Sequence, residues 1–395
     1  MRHFIQLAMA ASFILLAASR GYSTSGYAYS ITQLMSLVGA AIFPLTLLGG
    51  IYHALLGGIY HAKTKQIGLI LISFTICIVL VAYARGYEIN RQYDLFFVLT
   101  LAAVLVGAML PGDDPKIRQG VTKIFVAFFI GIFLINLLFG DLLNYRPGED
   151  FNDYQAISRV SGVLFCIITY YSLSVKSRML SVVLLTTSVG LAFICISGGG
   201  RGELIASFIA ILPVVVQKKG RGMIVLLAAL ILITIYWESL IELRGLTRLL
   251  NAFETRNSGM RIELGLEAFA IFTSDLKTFL FGCGINCFQA LQGYEYGLYP
   301  HNYILEALVT FGLIGTLPIL VVVARILFRW LTETNNEDYL LLIVACFFIF
   351  VSLKSGALIS SFLATFLIVY VGSSLSNRRK PQRANRKRRT PGRIG

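Results

Sequence analysis

Histidine, asparagine and glutamate fall within six residues of one another in "YPHNYILEALVTFGLIGTLPIL", Tyr299 to Leu320, where a long apolar run begins. A neutral imidazole such as that of His301 can take a proton from a hydroxyl near neutral pH. Pro300 keeps Tyr299 out of helical geometry and suits the first turn of a helix. His301 and Asn302 therefore open a helix, beside backbone N–H groups that favour an anion. Glu306 follows one turn further in, placed either to pair with an arginine or to line a path through the surrounding helices.

The second group that could do chemistry is in "CISGGGRGELIASFIAIL", residues 195–212, where three glycines precede Arg201 and Glu203 follows it. A tight turn accounts for the glycines. A charged pair at the end of an apolar helix is costly against lipid, so Arg201 and Glu203 are expected to face other helices or a cavity. The stretch is not a nucleotide-binding P-loop, because the spacing differs and the Lys-Ser/Thr is missing. The third group is arginines: Arg244 and Arg248 one turn apart, then Arg256, then Arg261 in "NSGMRIELGLEAF". A guanidinium meets phosphate or carboxylate with a flat two-pronged donor face that ammonium lacks.

The elements that must position these groups are membrane helices. The chain has 395 residues, 56% apolar and 14% charged. About 20 apolar residues cross a hydrocarbon core of roughly 30 Å, and lipid leaves the backbone no partner outside a helix. Twelve spans are expected, at about 4–19, 31–57, 67–84, 94–110, 121–139, 156–173, 179–197, 203–217, 222–238, 302–328, 339–354 and 357–375. The first is read as an uncleaved signal anchor. Residues 1–376 thus form an all-α polytopic bundle.

Residues 377–395, "RRKPQRANRKRRTPGRIG" after Asn377, are a basic disordered tail that carries part of the net charge of +14. Anionic membrane lipid, rather than nucleic acid, is its expected partner. With that tail in the cytoplasm, alternation puts "HAKTKQ", "PKIRQG", "SVKSR", "QKKGRG" and "RWLTETNNED" on the same side. All contain Lys or Arg, as the positive-inside rule requires, and both termini are then cytoplasmic. Lys277 and Lys354 are the outer lysines, while ten arginines lie outside or at outer span ends. Arginine at an interface also snorkels without binding anything.

Only one loop is long, residues 239–301 on the outer side. Leu243, Leu246, Leu250 and Phe253 fall at helical spacing. A second helix follows "RNSG", with Ser258 as its cap and Ile262, Leu266 and Phe269 on one face. The loop is expected to be a two-helix cap whose apolar stripes rest on membrane or bundle. Cys283 and Cys287 lie four apart in it, where an oxidising compartment permits a disulfide. Cys77, Cys166, Cys195 and Cys346 fall in apolar spans and are expected to pack. "GGIYHA" occurs twice between Gly49 and Ala62, but His53 and His61 are about 80° apart around a helix and over 10 Å apart along it. No metal-ligand spacing occurs, and no metal or other cofactor is expected.

Together the stretches "GGGRGELIA", "SGMRIEL", "FGCGINCF" and "PHNYILEALVTFGLIG" resemble the O-antigen ligase and O-antigen polymerase family of bacterial envelope proteins. That family has an arginine turn opening a span, a periplasmic loop with an arginine leading a helix, a Gly-x-Gly segment, and a His-Asn-x-x-Leu entry to the next span with Gly-x-x-Gly beyond. The resemblance covers about residues 195–320, with the His-Asn segment its most specific part. Gly200 stands where the family usually has serine before the arginine. The first 190 residues are similar only in being hydrophobic spans.

The resemblance implies metal-independent, inverting glycosyl transfer at the periplasmic face of the bacterial inner membrane. The donor is a glycan on undecaprenyl pyrophosphate. His301 would act as base, with Arg201 and Arg261 steadying the leaving diphosphate. Arg244, Arg248, Arg256, Asn302, Glu306 and Tyr299 would help to bind substrate. Tyr294, Tyr296 and Tyr299 would stack on sugars or form an interfacial belt. The acceptor is a glycan for a polymerase of O-antigen or exopolysaccharide, the expectation adopted, and lipid A-core for a ligase of finished lipopolysaccharide. A transporter or flippase would instead put charged residues near the midplane, with repeat symmetry.

Overall fold

The computed structural model describes residues 2–16, 27–56, 91–110, 114–139, 154–197, 201–218, 260–293, 299–332, 339–355 and 361–376. The expected spans at 67–84 and 222–238, the first helix of the cap, Ser258, the His53/His61 echo and the basic tail lie outside the residues whose side chains are described. The described residues are all α-helical apart from turns and links. Their thirteen helices are α1 (Arg2–Leu16), α2 (Tyr27–Leu56), α3 (Arg91–Met109), α4 (Pro115–Phe139), α5 (Tyr154–Ser174), α6 (Arg178–Ser197), α7 (Arg201–Gln217), α8 (Met260–Phe272), α9 (Leu276–Phe281), α10 (Cys287–Gln292), α11 (Tyr303–Thr332), α12 (Tyr339–Ser355) and α13 (Phe362–Ser376).

Five of them contain apolar stretches long enough to cross a membrane: Tyr29–Leu48, Pro115–Phe139, Ala156–Ser174, Arg178–Cys195 and Tyr303–Thr332. Shorter apolar helices lie beside them at His3–Leu16, Val98–Met109, Gly202–Gln217, Tyr339–Lys354 and Phe362–Ser373. The chain is a multi-pass membrane protein on this evidence. The outward faces are apolar too, as lipid demands: Met179, Val182, Val183 and Phe193 of α6 are exposed, as are Leu34, Leu37 and Leu45 of α2.

α12 is the hub. It packs against α5, α7, α11 and α13, and every residue from Tyr339 to Ile349 is buried. A helix that is apolar all round has this fate. Aromatic rings tie the N-terminal helices to the last one. Phe13 of α1 lies 5.4 Å from Phe366 of α13, and Phe125 of α4 lies 5.9 Å from the same ring. Small residues let helices close up where lipid gives no hydrophobic drive between them. A Cβ on Gly107 of α3 would come within 2.9 Å of the Phe366 carbonyl oxygen on α13.

The cap is more elaborate than two helices. Beyond Phe272 the chain makes two further short helices, α9 and α10, within the stretch expected to be loop. Asp275 starts α9 by accepting from the Thr278 N–H at 2.9 Å and from its hydroxyl at 2.7 Å. Six-residue helices of this kind give no periodic signal; their caps and their contacts with α11 define them.

α11 is broken at Gly312, whose φ of 66° and ψ of −173° lie outside helical geometry. The carbonyls just before the break accept from the cap: the Cys283 N–H donates to Val309 O at 2.9 Å and the Gly284 N–H to Thr310 O at 3.2 Å. The two backbones approach so closely that only glycine fits. A Cβ on Gly282 would sit 2.3 Å from the Thr310 oxygen, and one on Gly312 would sit 2.4 Å from the Gly282 nitrogen. Cys283 and Cys287 form a disulfide that closes the turn carrying these donors.

Candidate functional site

His301 is held by its neighbours rather than by a helix. Its φ of 52° is left-handed, a conformation that residues other than glycine rarely adopt. Pro300 before it is buried. Asn302 after it caps α11, its Oδ1 accepting from the Leu305 N–H at 3.0 Å, and its carbonyl accepts from the Glu306 N–H at 2.9 Å. The Asn302 side chain thus has a structural role as a cap, which the sequence reading did not assign to it. The imidazole is half-buried and its centroid lies 4.1 Å from that of Tyr299, with the rings tilted by 42°. Non-glycine residues in such conformations concentrate at working sites, because the surroundings must hold them there.

Glu306 is buried in the first turn of α11, where a carboxylate meets the positive end of the helix dipole. Beside it Tyr303, also buried, reaches Thr365 of α13, with 3.1 Å between the hydroxyl oxygens. The mouth of α11 is therefore fixed to the start of α13. On its other side, α8, α9 and α10 pack against the same first turns.

Of the expected residues, Tyr299, His301, Asn302 and Glu306 are gathered at this mouth. Arg261 is the second residue of α8, the helix seated on it, and Arg201 opens α7, which packs on α12 and meets α11 where the Trp330 indole N–H donates to the Ala210 carbonyl at 2.7 Å. The side chains of Arg201 and Arg261, and the whole of Arg244, Arg248 and Arg256, lie outside the described residues.

Sequence reasoning did not find the partner of Glu203. This carboxylate is wholly buried and its Oε2 lies 3.2 Å from Nζ of Lys354, at the end of α12. Its other oxygen, Oε1, has no hydrogen-bond partner among the described residues. The Arg159 guanidinium of α5 acts on the same carboxylate electrostatically. The lysine reaches the pair by lying across Gly202, where a Cβ would come within 1.9 Å of its Cδ. Next to this, Ser158 and Cys195 exchange hydrogen bonds to each other's carbonyls at 3.0 and 3.2 Å, joining α5 to the end of α6. The signal for Lys354 was its being one of two lysines on the arginine-bearing side; nothing local points to Glu203, 151 residues away.

Among the described residues no group of three or more His, Cys, Asp or Glu side chains gathers where it could hold a metal ion. Outside the spans, Asp275 has its carboxyl held below the usual range, first by the Thr278 N–H and then by the Thr278 hydroxyl. The arrangement at the mouth of α11 offers one imidazole, one buried carboxylate and a capping helix that carries an arginine. That set can move a proton and bind an anion. The chain matches no protein-family model and no curated protein.

Proposed function

We propose that this chain is a bacterial inner-membrane glycosyltransferase that polymerises surface polysaccharide repeat units carried on undecaprenyl pyrophosphate. It would have twelve spans, both termini in the cytoplasm, and its site facing the periplasm. The observation that carries the reading is His301: a left-handed histidine, between a buried proline and a capping asparagine, at the entrance to a 30-residue apolar helix on which a helical cap packs.

In the reaction, an acceptor sugar hydroxyl attacks the anomeric carbon of the donor from the face opposite the diphosphate. The new C–O bond forms as the bond to the diphosphate breaks, and its electron pair leaves with the lipid diphosphate. His301 takes the hydroxyl proton. The leaving group needs its charge steadied more than it needs an acid, a task suited to Arg201 and Arg261, with Arg244, Arg248 and Arg256. Glu306 and Tyr299 flank the imidazole side of the site, and Asn302 holds its backbone.

Purified full-length protein, given a defined undecaprenyl-pyrophosphate-linked repeat unit, should produce a ladder of longer lipid-linked glycans. His301→Ala should lower that rate by about 10²–10⁴-fold, the usual contribution of a general base, with the amount of protein in the membrane unchanged. Full-length polymer from this variant would overturn the base assignment. In cells, deletion should leave single repeats attached to core. Long chains accumulating on undecaprenyl pyrophosphate would instead identify a ligase that uses lipid A-core as acceptor.

A further inference from the structure

α8 is apolar on two opposite faces, and the chain covers one of them. Leu264, Ala268, Ile271 and Phe272 are buried with Cys287, Phe288 and Val309, and Leu305 and Leu308 pack against this cluster. On the far side Ile262, Leu266 and Phe269 form a second stripe at steps of four and three residues, exposed by 55%, 64% and 54%. Glu263 and Glu267 occupy the flank between the two, at about 100° and 140° from Ile262 around the helix.

We propose that α8 lies in the membrane–water interface and inserts Ile262, Leu266 and Phe269 among the headgroups and upper acyl chains of the bilayer. The depth of α11 is the argument. Its 30 residues run in two helical segments that meet at Gly312, whereas the hydrocarbon core takes only about 20 residues. Arg325 and Arg329 mark the far interface, in the last two turns. About twenty residues back from them lie Leu305 to Val309, the very residues against which α8 packs. α8 therefore sits where the span leaves the hydrocarbon. Further along, Ile314, Leu317 and Val321 of α11 are exposed apolar side chains, as a helix passing through lipid requires. A helix at that level, with an apolar outer face and acids on its flank, has the build of an interfacial helix. The inference is independent of the proposed reaction.

The test uses the full-length chain in phospholipid nanodiscs. Leu266→Cys and Phe269→Cys, both at exposed positions, each carry an environment-sensitive fluorophore, and Lys277→Cys, exposed on α9, serves as the water-facing control. The unsubstituted chain taken through the same labelling sets the background. Lipids spin-labelled at the headgroup or at a shallow acyl carbon should quench positions 266 and 269 at least twofold more than position 277, while aqueous iodide should show the reverse order. Iodide quenching at 266 and 269 without lipid quenching would overturn the proposal. Quenching by neither would also overturn it, because protein would then cover the stripe, either residues 219–259 of the same chain or a second copy.

Discussion

Glu203 makes the sharpest demand on its surroundings. A carboxylate with no exposure keeps its charge only if a cation reaches it, and Lys354 does so at 3.2 Å across a glycine. Removing one partner of a wholly buried pair costs about 3–5 kcal/mol; the loss here is expected to be smaller, because about a third of the lysine side chain meets solvent. Lys354→Met should therefore lower the melting temperature of the detergent-solubilised protein, and adding Glu203→Gln to it should restore part of the loss. A double variant less stable than Lys354→Met would show that the carboxylate has another counter-charge in Arg159 strong enough to hold it alone. Gly202→Ala should act in the same direction as Lys354→Met, since its methyl would displace the lysine Cδ. His301 is a different case, for its left-handed backbone stands between a buried proline and an asparagine that caps α11.

Among the elements, the cap and α11 are joined backbone to backbone. Two cap N–H groups take up carbonyls that the break at Gly312 releases, and Gly282 and Gly312 are the residues that permit the approach. Gly312→Ala should cost roughly 1–3 kcal/mol for the positive-φ, extended-ψ conformation alone, with the collision against Leu280 and Gly282 adding to it. Faster hydrogen exchange at Cys283 and Gly284, with the far half of α11 unchanged, is the expected readout; unchanged exchange at these two amides would sink the account. The start of α9 adds a pH dependence. Asp275 is held below its ordinary value by the Thr278 N–H, so its cap contributes above the unfolded carboxylate range, near 4. That contribution is lost as pH falls through the depressed value. Acid should loosen α9 before the spans, and Asp275→Asn should flatten the effect in the same exchange experiment. The spans that are described were legible in the sequence because lipid demands long apolar runs. α9 and α10 were not, since capping by Asp275 and contact with α11 define them. The stripe of Ile262, Leu266 and Phe269 was legible as a face, but period alone could not tell which of the two apolar faces of α8 the protein would cover. Of the candidate site, the mouth of α11 was legible because Pro300, His301 and Asn302 are adjacent. The Lys354 contact was hidden by distance along the chain.

At the scale of the whole molecule, a few contacts predict which ends share a face of the membrane. His3 of α1 and Asp114 before α4 lie 2.7 Å apart, so the start of α1 and the start of α4 are at one face. Phe13, near the other end of α1, meets Phe362 and Phe366 in the first turns of α13. α13 therefore runs against α1 and ends at the face of His3. Tyr303 ties the start of α11 to the start of α13, at the opposite face, and Glu203 ties the start of α7 to the end of α12 there. The cap of α8 to α10 precedes α11 on that second face. The short link between α5 and α6 lies one crossing from the first residues of α7, through α6, and so returns to the first face. No count of the remaining spans enters this chain of contacts, although it does require an even number of crossings, which twelve satisfies. Lys116, Arg118, Lys176, Arg178, Lys218 and Arg329 all fall toward the first face, which is the cytoplasmic face in the proposed orientation, as the positive-inside rule expects. Single cysteines at Ser177, Asp275 and Ala384 check the arrangement in right-side-out vesicles. A membrane-impermeant maleimide should label position 275 at once, and positions 177 and 384 only after lysis. Labelling of 384 together with 275 would mean that α12 and α13 do not both cross or both turn back, and the link from Phe13 to α13 would then have to be abandoned.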